Sequence, residues 1–262
     1  MGNYFYYLIL IAGILIGLSL FLIKQYLRKR QLEKLLDNTN SKLERLQTHF
    51  GRFAPQEVIE HLTEPEGGYT TRKKLVTVLF ADLKGFTKMC EQMDPSEVVS
   101  ILNGYFQRMS NALSKHHGRV TELIGDGMLA LFGALRPNPW QIHDAVLSAL
   151  AMREALVQYN IELKKKSLPE LSFGIGVHQG EVLAGVMGNV ELSKFGVVGD
   201  TINVASRVES LTRIHNVDLL ISSEVESKLK GRFTVKAMPP VPVKGKQNPL
   251  VTYFVEGLKT DT

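Results

Sequence analysis

Residues 120–132 read Val-Thr-Glu-Leu-Ile-Gly-Asp-Gly-Met-Leu-Ala-Leu-Phe. Two apolar runs, Val120–Ile124 and Met128–Phe132, flank Gly125-Asp126-Gly127. Glycines on both sides of an aspartate let a chain reverse tightly, so the stretch predicts strand, turn, strand. On its N-terminal side Gly118 closes a helix that reaches about His117 and starts at Asp94-Pro95-Ser96-Glu97. Asp94 suits the N-cap, Pro95 the first helical position and Glu97 the third. Before it, Leu75–Leu83 is a β-branched apolar run and reads as a buried strand. Beyond the hairpin, a long helix covers about Pro139–Lys166, strands follow at Leu171–Val177 and Val182–Val186, and a helix at Asp200–His215. Leu219–Ile221, Phe233–Ala237 and Val251–Val255 are further strands. The order β-α-β-β-α-β predicts an α+β fold on the ferredoxin-like plan.

The chain has 262 residues, 44% hydrophobic and 22% charged. That excludes global disorder and suits one domain with appendages. A single cysteine, Cys90, excludes an internal disulfide framework and a cysteine-cluster zinc site. The net charge of +5 is unevenly placed. Residues 1–23 are uncharged, and residues 24–50 carry seven Lys/Arg against three acids, or +4, which leaves +1 for residues 51–262. The basic excess therefore borders an apolar run rather than lining a groove. That argues against nucleic acid as a partner and for a membrane-proximal cluster.

The apolar run is Tyr4–Ile23, long enough as a helix to cross about 30 Å of hydrocarbon. No basic residue precedes it, while Lys24, Arg28, Lys29 and Arg30 follow. This predicts an uncleaved single-pass anchor in the inner or plasma membrane with the rest of the chain cytoplasmic. Gly13 and Gly17 form a GxxxG spacing that permits close helix pairing. Leu32, Leu36, Thr39, Leu43, Leu46, Phe50 and Phe53 fall on heptad a and d positions. They predict a short parallel coiled coil, the alternative being an amphipathic helix against the globular part. Glu64-Pro65-Glu66-Gly67-Gly68 is a breaker cluster. The expected layout is an anchor at 1–23, a basic juxtamembrane helix or coiled coil at 24–50, a linking element at 51–70 and the globular domain at 71–262.

Two acids stand out in that domain. Asp82 closes the first strand, and Asp126 sits in the hairpin turn. If the first and third strands are neighbours, the two carboxylates come together at strand ends, a placement that suits Mg²⁺ bridging to phosphates. Aspartate also favours turns for its own sake, so spacing leaves both readings open. Leu83-Lys84-Gly85-Phe86-Thr87 could turn backbone N–H groups toward phosphates. No GxxxxGK[ST] is present, which excludes a P-loop NTPase.

Four segments carry a family resemblance. Phe80–Thr87 with Glu122-Leu123-Ile124-Gly125-Asp126 resembles the class III nucleotidyl cyclases, as does Gly199-Asp200-Thr201-Ile202-Asn203-Val204-Ala205-Ser206-Arg207-Val208-Glu209-Ser210. Val243-Lys244-Gly245-Lys246 is similar to another motif of the family, and Gly51–Val58 to the transducer element that precedes many of its domains. The resemblance implies a homodimer with sites at the subunit interface and a nucleoside triphosphate substrate. It implies that Asp82 and Asp126 of one chain, helped by the Leu83 carbonyl, hold two Mg²⁺ ions, with Mn²⁺ as the alternative. It gives Asn203 and Arg207 of the other chain to the ribose and the reacting phosphoryl group, and Lys244 to the terminal phosphates. The reaction implied is attack of the ribose 3′-OH on the α-phosphate.

Base choice rests on two positions. Adenine-specific members place Lys where this chain has Glu122, and guanylate cyclases place Glu there. A carboxylate accepts from guanine N1–H and N2–H₂ but faces the bare N1 of adenine. The second position is Gly196, which has no side chain and matches neither pattern. GTP is the expected substrate, with ATP or another triphosphate as the alternative. A non-catalytic dimerising signalling module is the competing reading of another class. No sensor domain is legible, so control is expected from a membrane partner, the lipid environment or the dimer state.

Overall fold

The structure is a computed structural model that describes residues 17–18, 21, 24–44, 71–188, 193–229, 231–243 and 248–259. Most of the expected anchor, the linking element at 51–70 and the expected phosphate-binding Lys244 lie outside the described residues. The chain divides into two units, Met1–Glu60 and His61–Thr262. In the first, residues 24–44 are helical, and the heptad residues Leu32, Leu36 and Leu43 are exposed. Among the described residues no helix is long and apolar enough to cross a membrane. The expected anchor at 4–23 and the heptad positions Leu46, Phe50 and Phe53 lie almost wholly outside the described residues, and residues 24–44 form one exposed helix.

The second unit is built on an eight-stranded sheet. Its strands are β1 (Arg72–Leu83), β2 (Arg119–Ile124), β3 (Gly127–Phe132), β4 (Phe173–Gly188), β5 (Ser193–Val198), β6 (Leu219–Ser222), β7 (Phe233–Ala237) and β8 (Thr252–Leu258). The order is β2-β3-β1-β4-β6-β8-β7, with β5 pairing β4 off this path. The first four strands thus lie as β2-β3-β1-β4, the ferredoxin-like arrangement expected from the sequence. The helices are α1 (Phe86–Cys90), α2 (Pro95–Ser114), α3 (Gln141–Lys165), α4 (Asp200–Ile214) and α5 (Ser223–Glu226). The α2 start is as the sequence implies: Asp94 Oδ1 accepts the Ser96 amide at 2.8 Å, and Pro95 follows in a first-turn slot that needs no N–H.

One correction concerns β4. The stretches expected at Leu171–Val177 and Val182–Val186 are not two strands: from Phe173 on they belong to one sixteen-residue strand. The reason is pairing rather than propensity. Residues 178–181 continue the antiparallel ladder with β1, as in His178 with Val78 and Glu181 with Leu75, so the polar and glycine residues do not break it. The strand β5 and the short helices α1 and α5 were not legible as elements.

Strand alternation assigns the two faces of the sheet. Leu79, Ala81 and Leu83 pair with Val177, Ile175 and Phe173, and this face builds the main core with Ile101, Tyr105 and Met109 of α2 and Ala149 and Met152 of α3. The opposite face carries Asp82, Gly174 and Gly176, and α4 packs there. Glycine at 176 allows the approach: a Cβ there would fall on the Glu209 amide nitrogen and lie 2.7 Å from the Ala205 carbonyl oxygen.

Candidate active site at the strand ends

The antiparallel ladder between β1 and β3 ends with Ala81 opposite Met128. One step further, Asp82 lies beside the hairpin: a Cβ at Gly127 would sit 3.0 Å from Asp82 Oδ1. Ile124 pairs with Gly127, so the turn is the two residues Gly125 and Asp126, with Gly125 in the left-handed region at φ 61°. The expected neighbours, first strand and hairpin, are therefore neighbours. Burial pushes the half-buried Asp126 carboxyl above its ordinary value, and the charge of Asp82 adds to the effect.

The donor set Asp82, Asp126 and the Leu83 carbonyl is all hard oxygen, which fits Mg²⁺ or Mn²⁺. Among the described residues no group of three or more His, Cys, Asp or Glu side chains could hold a metal. A cation at two carboxylates and a carbonyl must complete its shell with water and phosphate oxygens, as Mg²⁺ commonly does.

Arg213, near the end of α4, reaches this spot. Its Nη2 donates to Asp82 Oδ2 at 2.5 Å and to the Leu83 carbonyl at 3.4 Å, while Nη1 lies 3.2 Å from Glu209 Oε1. Glu209 is 3% exposed. Burial raises its pKa to about 7, the charge of Asp82 adding to the shift and Arg213 opposing it. Tyr105 sits on the other side of the sheet with a buried hydroxyl that has no hydrogen-bond partner among the described residues. Burial raises its pKa, and Asp82, Asp126 and Glu209 raise it further.

The loop after β1 turns at Gly85, φ 69°, and buries the Phe86 ring, which leaves Gly85 and Phe86 to offer backbone recognition and Thr87 exposed with its hydroxyl. Lys84 is held elsewhere: its amide donates to the Ser172 carbonyl at 2.8 Å and its ammonium to the Val217 carbonyl at 2.7 Å. Burial lowers its pKa. On α4, Asn203 is exposed and Arg207 half-buried. Arg207 Nη1 is buried without an acceptor among the described residues. Glu122 is half-buried on the edge strand β2, opposite Leu129 and just past a register shift at Thr121. Gly196 lies on β5 opposite Gly185. By register, Gly196 shares a sheet face with Leu183, Val198 and Leu75, which are 43%, 57% and 50% exposed.

The structure thus joins Asp82, Leu83 and Asp126 in one place and puts Asn203 and Arg207 together on α4. Sequence reasoning missed Glu209, Arg213 and Tyr105. A signal for two of them was present: Glu209 interrupts the buried stripe Val204, Ala205, Val208, Leu211 and Thr212, with an arginine one turn later.

This sheet, with acids at the end of β1 and in the following hairpin, is that of a cyclase domain. Residues 69–257 match the adenylate and guanylate cyclase catalytic domain family, and the chain belongs to that family. Among its relatives, an adenylate cyclase of Anabaena cylindrica is 32% identical over 239 residues, 86% of this chain and 46% of that protein. The solved guanylyl cyclase Cya2 superposes with a TM-score of 0.68 at 34% identity, covering 72% of this chain and 95% of its own. The guanylate cyclase domain of RhGC from Catenaria anguillulae, solved in complex with GTP, gives 0.64 at 27% identity over 72% of this chain and all of its own (100%). The chain spans less than half the length of the first curated relatives it matches.

Proposed function

We propose that the chain is a homodimeric nucleotidyl cyclase that converts GTP to 3′,5′-cyclic GMP and pyrophosphate. The observation that carries this reading is the register that sets Asp82 beside the Gly125-Asp126 turn in a chain of this family. Asp82, Asp126 and the Leu83 carbonyl would hold divalent cations, which supply charge neutralisation at the phosphates and a lower pKa at the ribose 3′-OH. The amides at 85–87 would orient the phosphates. Asn203 would fix the ribose, and Arg207 would donate to the α-phosphoryl oxygens as charge builds there. The 3′-OH gives its proton to water, its oxygen bonds to the α-phosphorus, the bond from that phosphorus to the α–β bridging oxygen breaks, and pyrophosphate leaves with that oxygen.

Three features support this assignment. The buried Nη1 of Arg207 has no acceptor among the described residues, and a buried donor left unpaired costs about 1–3 kcal/mol, so an acceptor from outside the chain suits it. The exposed apolar face around Leu75, Leu183 and Val198 suits a second copy, which would bring Asn203 and Arg207 to the partner's acids. Glu122 favours guanine for the hydrogen-bonding reason given above. Attachment to a membrane through residues 4–23 remains part of the proposal, supported by the uncharged run and its basic flank.

The test is product identification. The purified full chain in detergent receives ATP, GTP, CTP and UTP together, with Mg²⁺ or Mn²⁺, and cyclic products are read by mass spectrometry. Dominant cyclic GMP that vanishes in Asp82→Ala supports the reading. Dominant cyclic AMP keeps the chemistry and removes Glu122 as the guanine reader. No cyclic product in any mixture favours a non-catalytic dimerising module.

A further inference from the structure

Arg213 makes its contacts to two of the three groups assigned to the metal. One guanidinium nitrogen, Nη2, is within hydrogen-bond distance of Asp82 Oδ2 and the Leu83 carbonyl oxygen. The same side chain has a second anchor, since Nη1 lies 3.2 and 3.4 Å from the two oxygens of buried Glu209. A cation that takes Asp82 Oδ2 and Leu83 O needs the space and the lone pairs that Nη2 now uses. Glu209 lies one turn back along the same helix and accepts from Nη1 already, so the guanidinium can give up Asp82 without losing its only partner.

We propose that Arg213 is a built-in counter-cation for the metal site: it occupies the seat on Asp82 and Leu83 in the metal-free protein and withdraws onto Glu209 when a divalent cation binds. The inference rests on the reading of Asp82 and Leu83 as metal ligands. It makes Arg213 a positioning residue, and it gives Glu209 a function, as the group that keeps the displaced charge paired inside the domain. The Arg213 side chain is 41% exposed, and an ion pair this open to water adds little net stability, so a switching role is a better account of it than a structural one. The competition also has a sign. Every cation bound must first displace Arg213 from Asp82, so the arginine lowers the apparent metal affinity and keeps the carboxylates apart from random cations until phosphates arrive to add ligands.

The experiment measures Mn²⁺ binding to the full chain in detergent without nucleotide, by calorimetry and by the loss of the free Mn²⁺ electron-spin signal. The proteins are wild type, Asp82→Asn, Arg213→Met, Arg213→Lys and the double variant Glu209→Gln/Arg213→Met. The expected result is Mn²⁺ binding that Asp82→Asn abolishes, that Arg213→Met tightens about tenfold and that Arg213→Lys returns toward wild type. At pH 8, where Glu209 is ionised, the double variant removes one charge of each sign, so the net charge of the site matches wild type and no buried carboxylate is left unpaired. It covers the case in which Arg213→Met fails to fold, and its Mn²⁺ affinity is expected to exceed wild type severalfold. Equal or weaker binding in the folded double variant overturns the displacement and leaves the metal assignment standing. Unchanged binding in Asp82→Asn, or none in wild type at millimolar Mn²⁺, overturns both. A merely structural arginine would weaken Mn²⁺ binding on removal, so the direction of change separates the roles.

Discussion

Glu209 makes the metal-free domain sensitive to pH in a direction opposite to that of most carboxylates. It is 3% exposed, and burial lifts its pKa to about 7 from an ordinary 4.5. The native state therefore keeps a proton that the unfolded chain has already released. Linkage fixes the sign: where the native state binds more protons, stability falls as pH rises. The contribution is fully present below pH 4.5 and is lost as pH climbs through 7. Between pH 5 and pH 8 the two titration curves differ by about 2.5 kcal/mol. For a domain of some 200 residues that corresponds to a melting point lower by about 5–10 °C. The assay is thermal unfolding by circular dichroism in EDTA, wild type against Glu209→Gln, at half-unit steps from pH 5 to pH 8.5. Glutamine keeps the shape and has no proton to lose, so the difference between the two proteins cancels every other titration. The wild type should lose ground to the variant steadily up to about pH 7 and then run parallel to it. Curves that stay parallel from pH 5 would refute the raised pKa and, with it, the view of Glu209 as a carboxyl kept largely out of water.

Gly176→Ala puts a methyl onto the backbone of α4, at the Glu209 nitrogen and the Ala205 oxygen. Neither can rotate away, so urea unfolding should show a loss at or above the 1–3 kcal/mol usual for overpacking, with activity falling further because Asn203 and Arg207 ride on that helix. At Gly196 the space is open, with Met187 Sδ the nearest atom at 3.8 Å from an added Cβ. Glu122→Lys with Gly196→Asp should therefore fold normally and move the ratio of kcat/KM for GTP and ATP toward ATP by about 10- to 100-fold, the value of one or two mismatched buried groups. An unmoved ratio would show that Glu122 does not read the base. Asp82→Ala and Arg207→Ala, each inactive alone, should recover about a quarter of wild-type activity when statistically mixed, because one site in each mixed dimer is intact. Mixtures as inactive as either parent would exclude shared sites.

How much was legible in the sequence depended on whether the signal was local. The hairpin and the Asp94 cap were, because each is decided within four to thirteen residues by turn and cap chemistry. So was the adjacency of Asp82 and Asp126, once the β-α-β-β order placed the first and third strands side by side. The unity of β4 was not legible. His178-Gln179-Gly180-Glu181 looks like a break, and only the ladder to β1 keeps it extended. Arg213 was missed for a related reason. Its partners Asp82 and Leu83 are about 130 residues away, and the packing of α4 over Gly174 and Gly176 is what brings them together. A charged pair four apart on a helix ordinarily reads as solvated surface, and here one member is buried.

The geometry of α4 makes the two halves of the proposed chemistry dependent on each other. At 100° per residue, Asn203 and Arg207 point in nearly one direction, while Glu209 and Arg213 point about 120° away around the same helix. One face grips the chain's own Asp82; the other presents the groups assigned to the partner's phosphates. If the sites lie between two copies, each α4 therefore belongs to both, through its acids' neighbour on one side and its transition-state residues on the other. The close approach at Gly176 holds this helix to β4 without a side chain between them to absorb a shift. A movement of Arg213 from Asp82 to Glu209 acts at the last turn of that rigid element, and its first turns carry Asn203. The dimer is then more than a way to complete two sites. It puts on one helix the arginine beside one site's metal seat and the residues assigned to the reacting phosphoryl group of the other.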